Sequence, residues 1–297
     1  MLEYGTIADV FLIEGITMHT YIVRKALNNN VLIAYNDRHE EVILIGKGIG
    51  FHYKKEDTIH ENVVEKLFVL RNEKEQAHYK ELLSYIDEQT LNTIIASTEL
   101  IRKRSKALLN EHVHVALTDH LVFAINRLSK GLAIKNPFLS ETKVLYPFEY
   151  EIAAEVVDLV NQSIGINLPE GEIGFIALHV HSAIVNKNIS EVNKYSQLVT
   201  AIIDMIEKRL DITIARDTID YIRLLRHIRY TIERVASGDK LEEPGKIAEL
   251  LKQEYPLYYN LAWQLIKVMQ KTLNKPVYDA EAVYLTMHLQ RLDNKHK

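Results

Sequence analysis

EGEIGFIALHVHS at Glu170–Ser182 and DAEAVYLTMHL at Asp279–Leu289 decide how this chain is read, because the second stretch echoes the first. At about 100° of turn per residue, a helix places Glu172, Phe175 and His179 along one line. Ile173, Ile176 and Val180 form an adjacent apolar stripe that a bundle core accepts. In the later stretch Glu281, Tyr284 and His288 take the same three places, and the steps Glu172 to Glu281 and His179 to His288 are both 109 residues.

Working outward, a second histidine obeys the same rule. His120 lies in the line Ala116, His120, Phe123, Arg127, and His227 in the line Arg223, His227, Tyr230, Arg234, a displacement of 107 residues. Tyr146-Pro147 and Tyr255-Pro256, again 109 apart, mark a corner between the two histidine helices of each copy. The chain therefore holds a duplicated helical unit of roughly 105 residues with two histidines in each copy. The copies divide around Val185–Glu191, where Asn186, Asn188 and Ser190 dilute the apolar pattern.

Upstream of the repeats the pattern is β. Val31–Tyr35 and Val42–Ile45 are apolar, β-branched runs around Asn36–Glu40, which reads as a hairpin with a polar turn. Asn28-Asn29-Asn30 precedes the first run, and Gly46-Lys47-Gly48-Ile49-Gly50-Phe51 follows the second. Such a glycine pattern permits φ > 0 and close backbone approach. It reads either as a turn-rich small sheet or as a nucleic-acid surface, with amides for base edges, Lys25 and Lys47 for phosphates and Phe51 to stack on an unpaired base. Charge adds little, since Thr17–Asp57 holds six Lys/Arg against five Asp/Glu. A last strand ends near Leu67–Leu70, and Asn72 with Glu75 resembles a helix cap. Met1–Gly15 matches no assignable pattern; residues 1–16 read as an extension, with Met18 a sensible start for the first domain.

Composition bounds the function. With 297 residues, 47% hydrophobic and 26% charged, the chain has material for about two or three globular domains. No apolar run approaches the roughly 18 residues of a membrane span, so no membrane insertion is expected, and no secretory signal pattern opens the chain. The absence of cysteine rules out disulfides, thiol catalysis and thiolate metal sites, and makes a cytoplasmic protein the economical inference. A net charge of −4 argues against coating nucleic acid non-specifically and leaves room for one small RNA or DNA site.

Taken singly, each of the four histidines reads as an ordinary core residue; two register-matched pairs weigh against that. His112/His114 and His179/His181 lie two residues apart, about 200° around a helix, and cannot share an ion. No cofactor or metal is expected. A metal-dependent hydrolase built from Thr118-Asp119-His120 with Glu172 and His179 is an alternative, but it leaves the β module unexplained. A DNA-binding activator with the same regulatory repeats would need an N-terminal helix-turn-helix where strands are read.

LNNNVLIA at Leu27–Ala34 and IGKGIGF at Ile45–Phe51 resemble the co-antiterminator (CAT) RNA-binding domain of the BglG/LicT/SacY antiterminators. LTDH at Leu117–His120 and GFIALHVH at Gly174–His181 resemble the first phosphotransferase-system regulation domain (PRD) of that family, with a second in the C-terminal copy. NPFL, LPEGEIGFIALHVHSA and KPVYDAEAVYLTMHL are most similar to its glucose-system branch. The resemblance implies a small antiparallel β RNA-binding domain at 17–76, followed by two homologous all-α bundles at 77–187 and 188–297. It implies a non-enzymatic homodimer that binds a leader-mRNA hairpin and prevents terminator formation in a sugar-permease operon. Phosphorylation by a permease enzyme II component would control it, with HPr a candidate donor to the second bundle. The implied RNA contacts are Lys25, Asn30, Gly46, Lys47, Gly48 and Phe51; the implied phosphoacceptors are His120, His179, His227 and His288. Many family members carry arginine where Lys47 stands, and lysine lacks the planar fork suited to bidentate contacts. Arg127 and Arg234, each two turns from a histidine on its own helix, are candidate partners for a phosphoryl group.

Overall fold

The computed structural model describes residues 19–69, 73–106, 111–132, 134–239 and 245–293. The extension at 1–16, the start at Met18 and the cap at Asn72 lie outside the described residues.

Five strands, β1 (Thr20–Asn28), β2 (Val31–Tyr35), β3 (Glu41–Ile45), β4 (Thr58–His60) and β5 (Lys66–Phe68), form an antiparallel sheet in the order β4-β1-β2-β3-β5. The expected hairpin is β2–β3, in register from Val31↔Ile45 to Tyr35↔Glu41. Its turn is closed by Asn36, whose Oδ1 accepts from the backbone N–H groups of Arg38 and Glu40 at 2.9 Å each.

The two hairpin strands lack polar alternation because both faces are covered. Leu32, Ala34, Val42 and Leu44 join Tyr21, Val23, Ile49, Ile59 and Val64 in one apolar cluster. On the other face Ile43 pairs with Phe68, whose ring meets Tyr79 of helix α2 (Glu73–Tyr85) at 5.9 Å between centroids. Polar ties hold α2 to the sheet: Asn28 donates from Nδ2 to the Leu83 carbonyl at 2.8 Å, and Glu41 pairs with both Lys80 and Arg24.

The remaining helices are α3 (Glu88–Ser105), α4 (Glu111–Ser129), α5 (Leu139–Leu145), α6 (Pro147–Ile164), α7 (Glu170–Ile184), α8 (Ile189–Leu210), α9 (Ile219–Ser237), α10 (Gly245–Glu254), α11 (Pro256–Leu273) and α12 (Ala280–Asp293). Their order repeats: α3 to α7 run parallel in sequence with α8 to α12. The Tyr-Pro corners fall where expected, with Pro147 and Pro256 opening α6 and α11. Proline suits that position because the first helical N–H has no intrahelical partner.

The chain forms two compact units. One holds the chain up to Ile134 together with Glu151–Lys187; the other holds Lys135–Tyr150 and Asn188–Lys297. In the second unit α5 packs on α8 and α9, where the Tyr221 hydroxyl donates to buried Glu141 at 2.8 Å and Arg229 donates to the Leu145 carbonyl at 3.0 Å. Although α5 lies within the first sequence repeat, it serves the core of the second unit.

The glycine stretch contains a feature beyond the expected turns, the one-turn helix α1 (Ile49–His52). Gly48 enters it with φ of 70°, and a Cβ on Gly50 would lie 1.9 Å from the Asn28 carbonyl oxygen. Gly50→Ala must push two backbones apart, at a cost of about 1–3 kcal/mol. Hydrogen–deuterium exchange on the full chain should show faster exchange across β1 to β3, with the helical repeats unchanged.

Candidate functional site

The glycine stretch and the asparagines before it form one corner of the sheet. The Asn29 carbonyl accepts from Gly50 N–H at 2.9 Å, and Asn30 Oδ1 accepts from Gly48 N–H at 2.6 Å. Asn28 Oδ1 accepts from Asn30 N–H at 2.9 Å. The three asparagines therefore differ. Asn28 and the buried Asn30 spend their carbonyl oxygens bracing the loop, while the Asn29 side chain is exposed. The loop they brace presents Phe51 with 77% of its surface exposed, edge-on to His52, beside exposed Lys47; Lys25 is exposed on β1. An exposed aromatic ring on a braced loop has the chemistry to stack on an unpaired base. Gly46 is buried and Gly48 half-buried beneath this loop.

The paired histidines come together inside each unit. In the first, α4 carries His120 and Arg127 and α7 carries Glu172 and His179. The rings of His120 and His179 lie against each other, tilted by 41° with centroids 4.9 Å apart, and Phe175 lies 5.9 Å from His120. Glu172, fully buried, pairs with Arg127 through Oε1 and meets His120 Nε2 at 3.0 Å through Oε2. The Nε2–Oε2 line is off the ring N–H direction, so this is a close electrostatic contact that a small ring rotation would turn into a hydrogen bond. Phe123 on α4 lies under the Arg127 guanidinium at 5.1 Å.

The second unit repeats the plan. The tilted rings of His227 and His288 meet at 5.0 Å, Tyr284 lies 5.8 Å from His227, and Glu281 meets His227 Nε2 at 3.4 Å and Arg234 Nε at 3.0 Å. One contact is new: the Thr231 hydroxyl donates to Glu281 Oε2 at 2.7 Å, where Ala124 stands in the first copy.

Burial sets the charge state of His179, His227 and His288. It pushes His179 down to about 3, helped by neighbouring His120, and pushes His227 down to about 3, helped by His288 and Arg234. His288 is lowered by burial and then by Arg291 and Arg223. These imidazoles are neutral near pH 7 and hold a nucleophilic lone pair.

Sequence reading aligned each glutamate with its histidine, gave Glu172 a task only in the hydrolase alternative, and offered Arg127 and Arg234 as phosphoryl partners; both arginines are engaged by the glutamates. The hydrolase cluster does not converge. Asp119 is exposed and pairs with His78 at 3.3 Å, whereas Glu172 is buried and pairs with Arg127 and His120. His114 sits edge-on to Phe68 at 4.9 Å with its pKa lowered to about 4 by burial, and the His112 side chain lies outside the described residues. Among the described residues, no group of three or more His, Asp or Glu is placed to hold a metal ion, and no helix is long and apolar enough to cross a membrane.

A sheet with a braced, aromatic-bearing loop, followed by two copies of a half-buried histidine pair beside a buried glutamate, suits a nucleic-acid-binding regulator with duplicated control domains. Comparison with known proteins agrees. A family described as CAT RNA binding domain matches residues 21–77, and one described as PRD domain matches residues 96–183 and 200–292. The PtsGHI operon antiterminator of Bacillus subtilis (strain 168) is 52% identical over 276 residues, covering 93% of this chain and 98% of that protein. The GlcA/glcB genes antiterminator of Staphylococcus carnosus is 39% identical, covering 94% of this chain and 98% of that protein. A crystal structure of GlcT CAT-PRDI, 52% identical, matches with a TM-score of 0.51 and covers 56% of this chain and 99% of that chain. The chain belongs to the phosphotransferase-regulated transcriptional antiterminators of the BglG/LicT/SacY family, which join a CAT RNA-binding domain to PRDs.

Two outcomes follow from the buried clusters. Removing Arg127 strands the Glu172 carboxylate, so Arg127→Met should destabilise the first unit by about 3–5 kcal/mol in urea unfolding. Arg234→Met should cost less, because the Arg234 side chain is 27% exposed against 9% for Arg127, and Thr231 also supports Glu281. The second outcome concerns pH. The folded-state values of His179 and His227 lie well below their ordinary 6.5, so the unfolded chain binds more protons as pH falls. Their contribution is complete above about pH 6.5 and is lost progressively toward pH 3. Thermal unfolding between pH 7 and 5 should show a smaller fall in Tm for His179→Asn and His227→Asn than for the parent chain.

Proposed function

We propose that this antiterminator binds, as a homodimer in the cytoplasm, a leader-mRNA hairpin that overlaps the terminator of a sugar-permease operon, with glucose the favoured sugar. The functional division is 17–76 for RNA binding and 77–187 and 188–297 for the two regulatory domains. The braced loop supports this reading best: Phe51 stacks on an unpaired base, Lys25 and Lys47 meet phosphates, and Asn30, Gly46 and Gly48 shape the approach of the backbone. The names of the relatives, antiterminators of ptsGHI and of glcA/glcB, favour a permease transcript as the target.

Control passes through His120, His179, His227 and His288. A permease enzyme II component phosphorylates the first regulatory domain when its sugar is absent, and HPr is the candidate donor to the second. A phosphoryl group adds about −1.5 to −2 charges at a buried helix contact, where the charge must be paired or expelled. In the first domain that charge loosens the compact active dimer.

Gel-shift titration of the full chain against the leader hairpin, with a hairpin-disrupted control, tests the first half. Phe51→Ala should weaken binding roughly 5- to 100-fold, the worth of one stacked base. Lys47→Ala should weaken all sequences alike and lower the salt slope by about one. For the second half, His120→Ala or His179→Ala should release a reporter from permease inhibition without sugar while leaving RNA binding intact. Full inhibition in both variants would remove these two residues as acceptors.

A further inference from the structure

We propose that Glu172 and Glu281 are positioning residues that hold His120 and His227 in the tautomer protonated at Nε2, leaving Nδ1 as the atom that accepts the phosphoryl group. The inference rests on the reading of these histidines as phosphoacceptors and adds which atom reacts and what aims it.

Three observations carry it. First, Nε2 of His120 and of His227 is sealed from solvent, although each side chain keeps 14% of its surface exposed. Nδ1 is not among the sealed atoms and has no hydrogen bond among the described residues. An incoming donor therefore reaches Nδ1 and not Nε2. Second, the sealed nitrogen faces a buried carboxylate at 3.0 Å in the first copy and 3.4 Å in the second. A carboxylate oxygen accepts and cannot donate, so it selects the ring tautomer with the proton on Nε2. Third, a phosphoryl group on Nε2 would set its oxygens against Glu172 or Glu281 in a buried site, like charge upon like charge. The same plan in both copies, with the glutamate, histidine and arginine all retained, argues against chance packing.

The step balances without further reactants. The Nδ1 lone pair attacks the phosphorus of a phosphohistidine carrier, the carrier's P–N bond breaks, and its electron pair returns to the carrier's imidazole. The acceptor ring gains positive charge, which Nε2–H presents to the glutamate. A carboxylate that orients an imidazole and stabilises its cationic form plays this part in serine-protease triads.

The test phosphorylates the full chain with phosphoenolpyruvate and the phosphotransferase carrier proteins, isolates the fragments bearing each histidine, and separates 1-phosphohistidine (Nδ1) from 3-phosphohistidine (Nε2) with isomer-specific antibodies. The expected product at His120 and His227 is 1-phosphohistidine, and ¹⁵N NMR of the unphosphorylated chain should show both rings protonated at Nε2. Glu172→Gln offers an amide that donates as well as accepts. It should slow phosphorylation of His120 at least tenfold and raise the share of that ring protonated at Nδ1 in the ¹⁵N spectrum, while His227, still held by Glu281, keeps its rate and reports an intact fold. Finding 3-phosphohistidine in the parent chain, or phosphorylation confined to His179 and His288, would overturn the inference and leave the regulatory reading standing. Absence of phosphohistidine at all four residues would overturn both.

Discussion

A carboxylate with no exposed surface must keep a cation beside it, and Glu172 keeps Arg127. That ion pair clasps α4 to α7, the two helices that carry His120 and His179, and so sets the distance between the rings. Losing either partner leaves an uncompensated charge in the core, a much larger penalty than the net worth of the pair itself.

The second copy keeps this plan and changes its balance. Thr231 shares Glu281 Oε2, Arg234 is more exposed than Arg127, and the histidine–glutamate contact is longer. Each difference dilutes the hold of the glutamate on its histidine and its arginine. Duplication has thus produced two clusters that keep the same histidines, glutamate and arginine with unequal electrostatics.

At the other end of the chain, the sheet is covered on both faces, by its own small cluster on one side and by α2 on the other. Asn28 and Glu41 tie α2 to the strands that lead into the asparagine and glycine corner. Backbone and side-chain amides are spent on holding that corner, and Phe51 and Lys47 are left exposed.

Much of this was legible in the sequence, because helical period and strand pattern are local. The repeat, the Tyr-Pro corners, the β2–β3 hairpin, the histidine lines and the glycine need for φ > 0 and close approach all rest on spacings within a few turns or a few residues. Other features could not be read that way, because they depend on partners far apart in the chain. Only the tertiary structure decided that Arg127 is spent on Glu172, 45 residues later, that Asp119 turns to His78 and so dissolves the hydrolase cluster, and that α5 fills a core built by α8 and α9. It also separated Asn28 and Asn30, which brace the loop, from Asn29, which faces outward. The sequence by itself determined which residues share a helix face; which nitrogen a buried carboxylate faces is set by how two helices pack, and no spacing along one helix contains it.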